Sequence, residues 1–385
     1  SLSETLELKR LCLYLKDQLV EKAEIGLPVE LKALIDALTG LLLDEAIEPF
    51  AFWEAACDLK ENFRKTIKFG VSGEEAAITA AAAAKFLKLV AAKCDRGTKK
   101  CLEKYGNYFT YFINEVADFE HVDGNKIKVK RFVQIPLPLF LEGFVHALKT
   151  EKDKNIYQLV KNSPLYDKEL KMYKVNAPLV NTPVEIGRAK VFAPGWLENE
   201  SVWLHMEYKY MLELLKAGLY HEFFDDFKKV LVPYMDPKVY KRSTLENSSF
   251  IVSSANPSKQ NHGRGFVARL SGGAAEFIDI WITMMTGKNI FNLDEKGALY
   301  FKLAPIIPAW LFKNGKLSFK LLGSIDVTYI NKKEKDTFGK GVAPVEYKLI
   351  FDDAEEVTVR DSVVKEPYAK AIRERKVKKL VVTLT

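Results

Sequence analysis

Between residues 3 and 290 apolar side chains recur every three to four positions, whereas from about 291 to 385 they alternate with polar ones. The first period belongs to helices with one face on a core, the second to half-buried strands. The pattern predicts helices over roughly 3–22, 28–43, 47–68, 73–95 and 98–117, then 136–149, 154–162, 199–217, 221–232 and 272–286. Ser72, with Glu75 three residues on, has the form of a capping box opening the alanine-rich run Ala76–Ala92. Strands are predicted at Lys316–Leu322, Val327–Ile330, Glu346–Phe351 and Lys379–Leu384, with Asn314-Gly315 as a hairpin turn. The expected fold is mainly α, with a helical domain over 1–290 and a small antiparallel β domain over 291–385.

Two stretches break the period. Residues 164–198 are punctuated by proline and glycine and end in Pro-Gly-Trp, too long for an ordinary connector, and so read as a functional loop. Residues 241–270 are rich in Ser, Asn and Gly and hold Arg242, Arg264 and Arg269; backbone N–H groups and cations of this kind suit an oxyanion such as phosphate.

At 385 residues and 48% hydrophobic content, the chain exceeds the ~250–300 residues at which single cores stop growing, so two domains are expected. The net charge of +7, from 58 basic and 51 acidic residues, reads as mixed solvated surface. No basic stripe with interleaved aromatics points to nucleic acid. Cys12, Cys57, Cys94 and Cys101 show no Cys-x-x-Cys spacing, which argues against a zinc site or a disulfide framework and fits a reducing cytoplasm. No run reaches the ~18 apolar residues of a membrane span. The start lacks an initiator Met, so residue 1 is not expected to be the natural first residue.

The segment richest in chemistry is Pro194-Gly195-Trp196-Leu197-Glu198-Asn199, continuing through Trp203 to His205. A carboxylate and an amide together hold vicinal sugar hydroxyls, and a histidine donates to a phosphate oxygen. On spacing alone the plainer reading is Asn199 as an N-cap, Glu198 as a solvated loop residue and His205 as a core histidine. The segment resembles, however, the run Pro-Gly-x-x-Glu-Asn-Gly-Gly, an aromatic and then His of the cellobiose phosphorylases. Glu200-Ser201 replaces the Gly-Gly pair and Leu197 stands where Arg is common, as in a relative rather than a close member.

A second match is His262-Gly263-Arg264-Gly265-Phe266 followed by Ser271-Gly272-Gly273-Ala274, similar to the family's Gly-Arg-Gly run and its Thr-Gly-Ser-Ala-Gly helix start. Without the resemblance it reads equally as a Ser N-cap after a glycine loop. Tyr240-Lys241 and the proline-punctuated stretch from Leu303 through Pro305, Ile307 and Pro308 to Trp310 follow in the family's order, so the matches cover roughly 190–312. Gln134–Gly143 looks like a feature of larger glucan-phosphorylase relatives.

The resemblance implies the C-terminal part of an (α/α)6 toroid completed by an upstream segment of the same polypeptide or by a partner chain. It also implies inverting phosphorolysis of β-linked gluco-oligosaccharides to a sugar 1-phosphate, with inorganic phosphate as co-substrate and no metal or other cofactor. Glu198, Asn199 and Trp196 would contact sugar, and His205, Arg264, Ser271 and Gly272 phosphate. One carboxylic acid suffices, because phosphate itself is the nucleophile. In the family that acid lies in an Asp-Trp-Asn-Asp run upstream of a glycine-rich helix start. Ser72-Gly73-Glu74-Glu75 corresponds to the helix start, and Glu54 and Asp58 are the nearest candidates, though both also read as solvated helix carboxylates. Two alternatives remain open: a non-catalytic carbohydrate-binding or assembly piece lacking the acid, and an inverting hydrolase, which would need a second carboxylate to act on water.

Overall fold

A computed structural model of the chain describes residues 1–268, 271–339 and 341–385, without the side chains of Ala268 and Ser271. It overturns the mainly α expectation and the α/α toroid with it: the chain is 42% helical and 24% strand, with strands paired in several small sheets. Two compact units form. The first comprises Ser1–Leu165, Val175–Ala193 and Glu198–Glu200, the second Tyr166–Lys174, Pro194–Leu197 and Ser201–Thr385. The change of period near 291 falls inside the second.

The first unit runs α1 (Leu2–Gln18), β1 (Glu24–Pro28), α2 (Val29–Leu43), α3 (Pro49–Thr66), β2 (Glu75–Thr79), α4 (Ala80–Tyr105), β3 (Phe112–Asp123), β4 (Lys126–Pro136), α5 (Leu141–Glu151) and α6 (Lys154–Lys161). Small and mid-sized residues let α1 and α4 pack closely: Leu6 and Cys12 on one, Ala91, Cys94 and Cys101 on the other, all buried. Helix α5 adds a buried stripe of Leu141, Phe144, Val145 and Leu148.

The expected capping box does not form. Glu75 pairs with Pro28 in the β1–β2 ladder, and the Ser72 hydroxyl accepts only from the Glu74 amide, at 3.2 Å. Helix α4 instead opens at Thr79, whose hydroxyl accepts from the Ala82 amide, and closes at Gly106 in the left-handed conformation that glycine adopts at low cost. Beyond Gly106 the predicted helix over 98–117 is replaced by the hairpin β3–β4. Asp118 faces Arg131, Glu120 faces Lys128 and Asp123 faces Lys126 across it, pairs of opposite charge that favour this register.

The second unit begins with β5 (Tyr166–Asp167) and β6 (Met172–Tyr173), then β7 (Val202–Trp203), α7 (Leu204–Lys216), α8 (Tyr220–Val230), α9 (Pro237–Tyr240), β8 (Ser248–Ile251), β9 (Gly265–Ala268) and α10 (Ser271–Thr286). Strands β10 (Phe291–Leu293), β11 (Leu299–Phe301), β12 (Lys316–Leu321), β13 (Ile325–Ile330), β14 (Pro344–Phe351), β15 (Glu356–Val359) and β16 (Val364–Lys365) come next, then α11 (Tyr368–Arg373) and β17 (Val377–Leu384).

Five strands form one sheet in the order β12-β13-β17-β14-β15. It is mixed rather than antiparallel, because β13 and β17 run parallel; a parallel pair needs a long crossover, supplied by everything between Ile330 and Val377. Tyr329, Tyr347, Leu349, Leu380 and Val382 make its buried face, on which Met285 and Trp281 of α10 also pack. The last carbonyls of α10, which lack helical partners, find donors further along the chain: Met284 from Ile306, Thr286 from Ala304, and Met285 from the Tyr329 hydroxyl at 2.7 Å. The proline-punctuated stretch after Leu303 thus closes a helix end.

Candidate functional site

The small sheet β7-β8-β9 carries the second unit's share of both sequence motifs, with Val202 opposite Ile251, Trp203 opposite Phe250 and Phe250 opposite Phe266. Gly195 is left-handed at φ 73°, and a Cβ there would stand 2.7 Å from the Asn256 amide, so only glycine fits this turn. The turn seats Trp196 edge-on against Phe250 and Phe266, at 5.0 and 4.6 Å between ring centroids, while Trp203 stacks on Phe250. Both indoles are half-buried in this aromatic cluster. Arg264 is exposed between two tightly packed glycines, its guanidinium 4.8 Å over the Phe266 ring.

His205 stands in the first turn of α7 and lies flat against the first turn of α10. A Cβ on Gly272 would be 2.7 Å from Cε1 of the imidazole and 2.8 Å from each of its nitrogens. The two residues are 67 positions apart, yet the ring occupies the space that glycine leaves. Glu276, one turn further along α10, places a carboxylate oxygen 3.8 Å from Nε2. Burial pushes the His205 pKa below its ordinary value, and the Lys209 cation adds to this against the opposing pull of Glu276. Burial thus favours the neutral imidazole, which offers one N–H donor. The imidazole, the Lys209 charge and the first turn of α10 thus stand together beside the Glu276 carboxylate. Arg269 and the Ser271 side chain lie outside the described residues.

Glu198 and Asn199 belong to the first unit. The Glu198 carboxylate pairs with exposed Arg188 at 3.0 Å, and its carbonyl accepts from the Asn176 amide. Asn199 is not an N-cap, since α7 begins five residues later. Its side-chain amide donates to the Phe192 carbonyl at 2.7 Å, and its buried Oδ1 has no hydrogen-bond partner. A buried acceptor without a donor costs about 1–3 kcal/mol, and a hydroxyl is the kind of group that would satisfy it. Glu54 is half-buried and Asp58 exposed, one turn apart on α3.

Glu276 and Lys209 escaped the sequence reading, although each lies at i+4 from a residue singled out there. So did a buried acidic cluster in the second unit. Glu207 accepts from the Tyr173 amide at 2.8 Å, and Asp226 accepts a short hydrogen bond from the Tyr173 hydroxyl. Among the described residues no group of His, Cys, Asp and Glu is arranged to hold a metal ion, and no helix is long and apolar enough to cross a membrane. No protein-family model matches the chain, and no curated protein matches it.

Proposed function

We propose that the chain is part of a glycoside phosphorylase acting on β-linked gluco-oligosaccharides. The observation that carries this reading is the His205 ring laid on Gly272 in the first turn of α10, which brings together the two segments that the sequence resemblance assigns to phosphate. Phosphate held there attacks the anomeric carbon with an oxygen lone pair. The glycosidic bond breaks, a carboxylic acid gives its proton to the departing oxygen, and a sugar 1-phosphate of inverted configuration results. His205, Lys209 and the α10 amides hold the nucleophile, with exposed Arg264 as a further cation. Glu198 and the unpartnered Asn199 oxygen in the first unit, and Trp196 in the second, each have the chemistry that suits sugar. The proton donor is not assigned among the described residues. A cytoplasmic setting goes with this reading, since the four cysteines are free thiols.

A second reading is a non-catalytic carbohydrate-binding piece, in which the unpartnered Asn199 oxygen meets a sugar hydroxyl and the proton donor is lacking. Incubation with β-linked gluco-oligosaccharides and phosphate, with and without an upstream segment, separates the two. Glucose 1-phosphate is expected. Free glucose formed without phosphate would instead indicate hydrolysis, and oligosaccharide binding with no turnover in either case the second reading. Gly272→Ala pushes the imidazole away and is expected to weaken phosphate binding about tenfold or more, the worth of one hydrogen bond to a charged group. Gly273→Ala, whose Cβ would come no nearer than 3.8 Å to His205, leaves it unchanged. Equal phosphate affinity in the two variants would remove this seat.

A further inference from the structure

The first unit contains a cleft of about 510 Å³ between one face of α4, the start of α1 and the β3–β4 hairpin. That size is typical of small-molecule sites. Phe112 and Asn114 line it from β3, and Phe132 and Gln134 from β4. Asn114 and Gln134 are cross-strand partners, and side chains two apart on a strand share a face, so the amide pair sits between the two phenylalanines. From α4 come Gly97, Lys100, Cys101, Lys104 and Tyr105, the spacing of a single helix face.

This lining selects its ligand. Lys100 and Lys104 stand one turn apart and exposed, neither with an acidic partner among the described residues, and no lining residue carries a carboxylate. The cleft therefore attracts an anion. Tyr105 and Phe112, with ring centroids 5.8 Å apart, and Phe132 supply flat apolar surface on which a planar ring can stack. Two adjacent side-chain amides offer both donors and acceptors to the edge of such a ring, as Asn and Gln do for nucleobases.

Gly97 adds an independent observation. It lies in the interior of a 26-residue helix, where glycine is the poorest helix former apart from proline. A Cβ there would meet nothing nearer than a Thr5 methyl at 4.0 Å, so packing does not require glycine. Its missing side chain leaves room on the cleft side of α4.

We propose that this cleft binds a nucleoside monophosphate, its phosphate on Lys100 and Lys104, its base against the Tyr105–Phe112 wall and its base edge on Asn114 and Gln134. The assignment does not depend on the phosphorylase reading, whose phosphate seat lies in the second unit.

Calorimetric titration of the full chain with AMP, GMP, CMP and UMP tests it, with adenosine, inorganic phosphate and glucose 1-phosphate as comparison ligands. At least one nucleotide should bind tenfold or more tightly than adenosine, phosphate and glucose 1-phosphate, and should weaken as salt is raised. Lys100→Gln/Lys104→Gln, which alters exposed positions only, should lower that affinity at least tenfold. Gly97→Leu should fill the cleft and abolish binding while melting no lower than the parent chain. Phosphate and glucose 1-phosphate are also expected at the second unit's seat, so only binding that the lysine double variant weakens is counted for the cleft. Glucose 1-phosphate matching the best nucleotide in that count would overturn the ligand class. No nucleotide exceeding phosphate in that count, or undiminished nucleotide binding in the double variant, would overturn the site.

Discussion

Glu207 is wholly buried on α7, one carboxyl oxygen accepting from the Tyr173 amide and the other without a donor. Burial pushes its pKa well above the ordinary carboxylate value, the Tyr173 bond opposes this, and Asp226 and Asp167 add to the rise. A carboxyl whose pKa is higher folded than unfolded binds more protons in the folded state between the two values. Stability is then full below about pH 4.5 and falls as pH rises toward the folded pKa. Glu207→Gln keeps the acceptor for Tyr173 and cannot ionise. It should be near neutral at pH 5 and increasingly stabilising as pH rises to 8, by up to about 1.4 kcal/mol for each pH unit between the unfolded and folded pKa; urea titrations at the two pH values measure the difference. At this scale His205 and Gly272 stood out in the sequence because both sit in recognisable motifs. Glu207 did not, since its environment is assembled from β6 and α8, segments remote along the chain.

Among the elements, α4 shows how local signals compete. Both Ser72 and Thr79 are hydroxyl residues ahead of an alanine run, and the capping-box pattern favoured the first. The β1–β2 ladder decides for the second by holding Glu75–Thr79 extended until Ala80. Thr79→Ala should therefore cost about 1 kcal/mol, the usual loss for a cap, whereas Ser72→Ala should stay within about 0.5 kcal/mol. Chemical denaturation of the two variants distinguishes them, and the reverse order would move the helix start back to Ser72. The β3–β4 hairpin was legible in principle: Lys126–Lys130 alternates, and Asp123-Gly124 is a turn dipeptide. The helical periodicity of the preceding residues carried the reading across Gly106, and the charge pairing that supports two strands becomes visible only in register.

In the second unit as a whole, helices and sheet share one core through α10. Tyr329, wholly buried on β13, donates to the Met285 carbonyl at the end of that helix. Tyr329→Phe leaves a carbonyl at a helix end without its donor, and is expected to cost about 1–3 kcal/mol. At about 2–4 °C per kcal/mol for a unit of this size, thermal unfolding should shift downward by several degrees; an unchanged melting temperature would show that the link is dispensable. Hydropathy alone determined the second half's helices α7, α8 and α10 and the strands β12, β13, β14 and β17 of the C-terminal sheet, because each depends on residues within one or two turns or one strand. Only the tertiary structure decided that β13 and β17 run parallel, that Glu75–Thr79 and Phe112–Pro136 are strands, and that His205 rests on Gly272. Those outcomes depend on partners tens of residues away, and a local pattern of polar and apolar positions holds no record of which partner is met.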